Sequence, residues 1–106
     1  MPNSNWSDHE KKVARRAFDA ALQRELAAVM ATVKAMAAKV ERPEQIWAME
    51  DYLREQREAI DGKYTYRYSQ LVLVLGILLR EQWIRDEELE GLAEDKRETI
   101  RLIASP

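Results

Sequence analysis

The stretch Ser7–Val40, SDHEKKVARRAFDAALQRELAAVMATVKAMAAKV, decides the fold. Its first four residues have the S-x-x-E form of a capping box, in which the Ser hydroxyl and the Glu carboxylate satisfy free backbone N–H groups at a helix start. No Gly or Pro interrupts the chain until Pro43. Apolar residues recur at steps of four and three, as along one face of a helix. They are Phe18, Leu22, Leu26, Val29, Val33, Met36 and Val40. The stretch predicts one long helix over residues 8–40.

This helix is too long for its own domain. It would measure about 48 Å at 1.5 Å per residue, whereas a compact domain of 106 residues has a radius of gyration near 13 Å. The rest of the chain is too short to pack along the whole apolar seam. We therefore expect a second copy of the chain to cover part of it, giving an elongated helical homodimer.

A second helix is predicted over residues 43–61. Pro43 suits its first turn, where the missing N–H would have no partner anyway, and Gly62 suits its end. Four apolar residues fall on one face at helical spacing and are interpreted as a core stripe. They are Ile46, Met49, Leu53 and Ile60.

Two further helices complete an all-α fold of one long and three shorter helices. The apolar run Leu71–Leu79 lies in a stretch of helical length, residues 64–82, and has no partner strand, which favours a helix. Acids from Asp86 onward suit the start of a fourth helix. Its expected stripe continues at steps of three and four. The members are Leu89, Leu92, Lys96, Thr99 and Ile103.

The composition narrows the classes of partner. The net charge is −2, which gives no overall field for nucleic acid or an anionic membrane. A basic cluster, Lys11, Lys12, Arg15 and Arg16, is flanked by acids and is interpreted as a solvated helix face. The absence of cysteine excludes disulfides and fits a reducing cytoplasm. Residues 1–10 lack the apolar core of a signal peptide, and the longest apolar run is about half a membrane span.

No catalytic or metal-binding pattern is present in the sequence. His9 is the only histidine and lies in the first turn of the first helix, and the chain offers it no cysteine and no clustered carboxylate partner, so neither a triad nor a zinc site is predicted. Glu87, Glu88 and Glu90 fall on different faces of their helix, and a Glu-x-x-His motif is absent. We expect a protein without cofactor or metal that is not an enzyme.

A polar strip runs along the second helix beside its core stripe. Its members fall within an arc of about 120° at 100° per residue. They are Trp47, Glu50, Asp51, Arg54 and Arg57. One interpretation is pairing within the helix, such as Glu50 with Arg54, which stabilises by a few tenths of a kcal/mol. The other is an interaction surface, because Trp and Arg are enriched where binding energy concentrates.

The residues around this strip resemble those of the fluorescence recovery protein family. The string Trp47–Tyr64 reads W-x3-DYL-x3-R-x2-IDGKY, and Leu92–Ile100 reads LAEDKRETI. Upstream, Gln23–Leu26 and Ala31–Val33 are also similar. The similarity spans nearly the whole chain, and the string is far more specific than a general helix pattern.

This resemblance implies a function in photoprotection. It implies an all-helical homodimer without pigment. The dimer would bind the C-terminal domain of the orange carotenoid protein after light has converted that protein to its red form. The family speeds the return to the orange form and promotes release from the phycobilisome, so that antenna fluorescence recovers. Such a protein would be cytoplasmic, and peripheral to the cytoplasmic face of the thylakoid membrane through the phycobilisome.

The resemblance also implies roles for particular residues. Trp47, Asp51 and Arg57 match the family's functional patch, Ile46 matches a position that supports dimerisation, and Leu73 matches an aromatic position implicated in partner contact. The expected partner-binding set is Trp47, Glu50, Asp51, Arg54, Arg57 and Leu73. The expected dimer interface is Leu26, Val29, Val33, Met36, Ile46 and Leu53. Residues 1–7 are expected to be a flexible N-terminus, 8–61 long dimerising helices and 62–106 a helical head.

Two departures from the family pattern keep a second function open. A His often precedes the patch Asp, but Glu50 stands there in this chain, and the head aromatic is the aliphatic Leu73. A helical homodimer that serves as an adaptor for a different protein therefore remains an alternative.

Overall fold

The computed structural model of the chain describes residues 5–106, which fold into helices joined by short connections. The elements in order are α1 (Asp8–Ala38), α2 (Pro43–Lys63), α3 (Leu71–Arg80), a short 3₁₀ helix (Asp86–Leu89) and α4 (Glu94–Ala104). The predicted all-α class, with one long helix followed by shorter ones, is confirmed. No helix within residues 5–106 is long and apolar enough to cross a membrane.

The predicted capping box starts α1. The Glu10 backbone N–H donates to the Ser7 hydroxyl at 3.1 Å, and the Ser7 N–H donates to the Glu10 carboxylate at 3.0 Å. The helix continues for 31 residues and ends at Ala38, two residues before the predicted end. A stretch of strong helix formers without Gly or Pro therefore suffices to specify the longest element.

The core lies at one end of the molecule, which we call the head. The first half of α1 packs there against α3 and the 3₁₀ helix, and α4 packs mainly against α3. The fully buried large side chains are Leu71, Leu75, Leu78, Ile84, Leu89 and Ile100. Trp6 is also buried in this core, although the sequence analysis places it in a flexible segment 1–7. Residues 1–4 of that segment lie outside the described residues.

The third helix is shorter than predicted, because α3 begins at Leu71 and residues 64–70 are not helical. Tyr64, Tyr66 and Tyr68 all pack against the core. Alternate residues share a face in extended chain but not in a helix. Burial of the three rings thus opposes helix formation over this segment.

The fourth helix is also interrupted. The helical conformation ends after Leu89, Gly91 has a φ of 107°, and α4 starts only at Glu94. Four of the five residues of the predicted stripe, Leu89, Leu92, Lys96 and Ile103, are buried or half-buried, whereas Thr99 is exposed and its neighbour Ile100 is fully buried. The acids expected at a helix start do begin the 3₁₀ helix, where the Arg85 backbone N–H donates to the Glu88 carboxylate at 3.0 Å, and Glu88 also pairs with Arg24 at 2.7 Å.

The molecule is elongated, with extents of 54 × 25 × 25 Å and a radius of gyration of 16.8 Å. A compact domain of this length would have about 13 Å. The elongation comes from residues 26–61, which we call the stem, where α1 and α2 form an antiparallel pair. No side chain from Leu26 to Ala59 is fully buried in the single chain. The overhang predicted for α1 is therefore present.

The core stripe predicted on α2 is only half right. Ile60 is buried and Met49 is half-buried, but Ile46 and Leu53 are exposed in the single chain. The reason is that α1 alone packs on α2 along the stem, and one neighbouring helix covers only a narrow stripe. Both exposed residues belong to the expected dimer interface.

Candidate functional site

The polar strip lies on the exposed side of α2. The Trp47 side chain is 62% exposed, although indole rings are more often buried. The Arg54 guanidinium contacts the Glu50 carboxylate at 3.0 Å and the Asp51 carboxylate at 3.7 Å. One arginine thus holds the two acids of the strip side by side, next to an exposed aromatic ring.

Arg57 stands apart from that charged group. Its side chain is 84% exposed, and its ion-pair partner is Asp61, at 3.7 Å one turn further along. Asp61 was not among the predicted site residues, although its i+4 spacing from Arg57 was the available signal. The strip therefore consists of two charged groups, one around Arg54 and one around Arg57.

These ion pairs hold the strip only weakly. Exposed pairs of this kind contribute about 0.2–1 kcal/mol, because water and salt screen both charges. The pairing within the helix that the spacing predicted is present between Glu50 and Arg54. Because this pair contributes so little free energy, a partner can form an ion pair with either side chain instead at little cost to the stability of the chain.

A stem groove of about 360 Å³ adjoins Arg57. Its lining combines apolar side chains of both stem helices with the polar end of the strip. The lining residues are Leu26, Val29, Leu53, Gln56, Arg57, Ile60 and Asp61. Three residues of the expected dimer interface thus meet a residue of the expected partner-binding set. Gln56, Ile60 and Asp61 complete the groove and were missed.

The other expected interface residues do not line this groove. Val33 and Met36 are half-buried further along α1, and Ile46 is exposed near the start of α2. The interface set therefore follows the length of the stem rather than forming one compact patch.

Leu73 lies on a different surface. Its side chain is 47% exposed on α3 and lines a head groove of about 340 Å³. The other lining residues are Gly62, Lys63, Thr65, Arg67, Ser69, Gln70, Val74 and Ile77. The head groove and the stem groove share no lining residue.

A charged cluster, which we call the junction cluster, joins the stem and the head between these grooves. The Lys63 ammonium contacts the Glu25 carboxylate at 2.7 Å and the Glu81 carboxylate at 2.5 Å. The Tyr64 hydroxyl donates to Glu25 at 2.8 Å. Burial, and after it the neighbouring Glu25 carboxylate, raise the pKa of Tyr64, so it stays a neutral donor. These contacts tie α1, the end of α2 and the end of α3 together.

The exposed residues of the strip and of the two grooves can be compared with known kinds of binding site. Within residues 5–106, no three His, Cys, Asp or Glu side chains are grouped so that they could hold a metal ion. The exposed Trp and arginines, together with two grooves of mixed polarity, are instead features of protein-binding surfaces.

Comparison with known proteins gives a consistent result. Residues 6–104 match the family described as photoprotection regulator fluorescence recovery protein. The fluorescence recovery protein of Synechocystis sp. strain PCC 6803 is 39% identical over 99 residues, which cover 93% of this chain and 91% of that protein. The solved structures of the fluorescence recovery proteins of Fremyella diplosiphon and of Synechocystis each superpose with a TM-score of 0.90 at 39% identity, over 93% of this chain and 97% of theirs.

Proposed function

The chain belongs to the fluorescence recovery protein family of photoprotection regulators, and we propose that it acts on the orange carotenoid protein. It binds the C-terminal domain of the photoactivated red form, accelerates the return to the orange form and promotes detachment from the phycobilisome. It acts in the cytoplasm, at the phycobilisome surface. The observation that carries the proposal is the family match over residues 6–104, which includes the whole polar strip.

The protein accelerates a conformational change without being an enzyme. It must therefore bind the closing transition state more tightly than the open red form, and each tenfold of acceleration requires about 1.4 kcal/mol of that preference. A protein that favoured only the closed product would shift populations without this effect on the rate.

A homodimer supplies this preference for the closing transition state by bridging the parts of the red form that have moved apart. Holding both parts on one scaffold lowers the entropic cost of bringing them back together. The second copy covers the apolar residues that the single stem leaves exposed, among them Leu26, Ile46 and Leu53. A charge at Ile46 would then separate the copies.

The bridging step is tested by comparing an Ile46→Glu monomer with a covalently enforced dimer. The enforced dimer should accelerate recovery and the monomer should not. Equal recovery rates for the two proteins would mean that bridging plays no part.

Trp47, Asp51 and Arg57 supply the partner contact, with Glu50 and Arg54 beside them. The residue-level test is Arg57→Leu. This exposed side chain makes only a weak pair with Asp61, so the variant should retain its helix content and lose much of its recovery activity.

The matched control is Arg16→Leu, which removes another exposed arginine from α1 in the head. It should accelerate recovery as the unsubstituted chain does. An unfolded Arg57→Leu variant, or one that is fully active, would remove Arg57 from the site.

Glu50 and Leu73 favour one alternative, a helical homodimeric adaptor for a different protein. An acid in place of the usual His, and an aliphatic side chain in place of an aromatic one, change both the charge and the shape that a partner meets. The adaptor predicts a dimer in solution that leaves recovery of the carotenoid protein unchanged.

A further inference from the structure

The segment after α2 presents two different faces. Tyr64 and Tyr66 pack edge-on against Phe18, with ring centroids at 5.3 and 4.9 Å. Tyr68 continues the row, with its ring centroid 5.7 Å from that of Tyr66. The residues between and after the rings, Thr65, Arg67 and Ser69, line the head groove. Along these non-helical residues, which end in a turn at 68–70, the rings thus pack on the core while the residues between and after them line the groove.

The head groove is lined by both apolar and basic side chains. Leu73, Val74 and Ile77 give it an apolar side, and it contains two cations, Lys63 and Arg67. No carboxylate of residues 5–106 lines it, although 19 of the 106 residues are acidic.

Only one of the two cations is uncompensated. Lys63 is held by Glu25 and Glu81 in the junction cluster. Arg67 is exposed and forms no ion pair with any of residues 5–106. The groove therefore offers one positive charge without an ion-pair partner among residues 5–106, together with the exposed apolar side chain of Leu73.

We propose that Arg67 determines partner specificity in the head groove, by pairing with an Asp or Glu carboxylate of a partner segment whose apolar side chain covers Leu73. The inference rests on the proposed function, since the segment belongs to the C-terminal domain of the carotenoid protein. It adds the chemistry that the segment must carry.

An arginine suits this role because its planar guanidinium binds a carboxylate through two parallel hydrogen bonds. Covering Leu73 would exclude water from the same place and so strengthen the pair. Nucleic acid is a poorer occupant, because neutralising its backbone takes several cations. A single uncompensated arginine fits a single carboxylate.

The experiment measures binding of the full-length chain to the isolated C-terminal domain of the orange carotenoid protein, at low and at high salt. The variants are Arg67→Glu, Arg67→Lys and the control Lys12→Glu, which reverses an exposed charge on α1 in the head. Circular dichroism and the solution mass of each variant establish that fold and oligomeric state are retained.

At low salt, Arg67→Glu should weaken binding at least about tenfold, as expected when a charge pair becomes a repulsion. Lys12→Glu should stay within about twofold, as for a charge outside the contact. The affinity of Arg67→Lys should lie between those of Arg67→Glu and the unsubstituted chain, because lysine keeps the charge but lacks the planar guanidinium. High salt should narrow the gap between Arg67→Glu and the unsubstituted chain.

If the unsubstituted chain binds, either of two results would overturn this inference and leave the proposed function standing. One is an Arg67→Glu variant that binds as well as Lys12→Glu. The other is a loss that salt leaves unchanged. No binding by the unsubstituted chain would instead overturn the proposed function, and this inference with it.

Discussion

Replacing Lys63 by Met removes the only cation of the junction cluster while keeping an unbranched side chain of similar length. The Lys63 and Glu25 side chains are 11% and 9% exposed, so both charges are largely withdrawn from water. The substitution leaves the Glu25 carboxylate with the Tyr64 hydroxyl as its remaining side-chain partner. Glu81 is 41% exposed and can turn toward solvent. The cost therefore falls mainly on Glu25.

Removing one partner of a buried pair costs about 3–5 kcal/mol, because the other charge is left uncompensated. We expect the lower end, about 3 kcal/mol, since the Tyr64 hydroxyl still donates to Glu25. For a domain of this size, that corresponds to a fall of about 12 °C in Tm. The quantity to measure is the free energy of unfolding in urea, at a fixed protomer concentration because a dimer's stability depends on concentration.

A second substitution tests the cause. Adding Glu25→Gln to Lys63→Met removes the uncompensated charge, so the double variant should be more stable than Lys63→Met alone by at least about 1 kcal/mol. The matched control is Asp19→Asn, which breaks the exposed Arg15–Asp19 pair on the same helix and should change stability by less than about 0.5 kcal/mol. A loss below about 1 kcal/mol for Lys63→Met, or no recovery in the double variant, would refute the reasoning.

Three further changes test other contacts of the head. Burial alone would raise the pKa of Glu10, but the backbone N–H groups of Ser7 and Ala93 and the Lys96 ammonium outweigh burial and lower it to about 2. The stability that Glu10 supplies should therefore be complete above about pH 4.5 and be lost as the pH falls toward 2, a slope that Glu10→Gln should reduce in acid unfolding curves. Gly76→Ala would place a Cβ inside the Ile103 side chain, so it should destabilise by about 1–3 kcal/mol in urea, whereas the same change in an Ile103→Ala background should be neutral or stabilising. Gln82 lies two residues beyond the end of α3 and has φ 67°, so Gln82→Gly should raise the free energy of unfolding by about 0.5–1 kcal/mol, and a loss of stability would contradict that.

The parts of the fold that the sequence predicted are those that depend on local rules. The capping box at Ser7 and the Gly- and Pro-free stretch after it specify α1, and Pro43 marks the start of α2. Residues 64–70 were predicted wrongly because their conformation depends on burying three rings against Phe18, a contact with residues far away in the sequence. The fourth helix was predicted as continuous from Asp86, which is wrong because the chain turns at Gly91 and α4 starts only at Glu94.

In the candidate site, too, the features that follow from local spacing were predicted and those that depend on packing between elements were not. The polar strip could be placed from spacing alone, because α2 is one regular helix with an exposed face. The meeting of Leu26, Leu53 and Arg57 in one groove depends on how α1 and α2 pair, which periodicity does not give. Arg67 was missed because its place in the same groove as Leu73 depends on how residues 64–70 pack on the core, which the sequence pattern does not give. The sequence shows that residue 67 is charged but not which residues lie near it in space.

The most direct measurement of the proposed function is the dark recovery rate of photoconverted orange carotenoid protein, followed by its absorbance, with this protein added at a substoichiometric ratio. We predict a strong acceleration, because a regulator that binds the closing transition state is released and acts again. A rate unchanged by the addition, with the protein confirmed as a dimer in solution, would contradict the proposal and leave the adaptor as the better description.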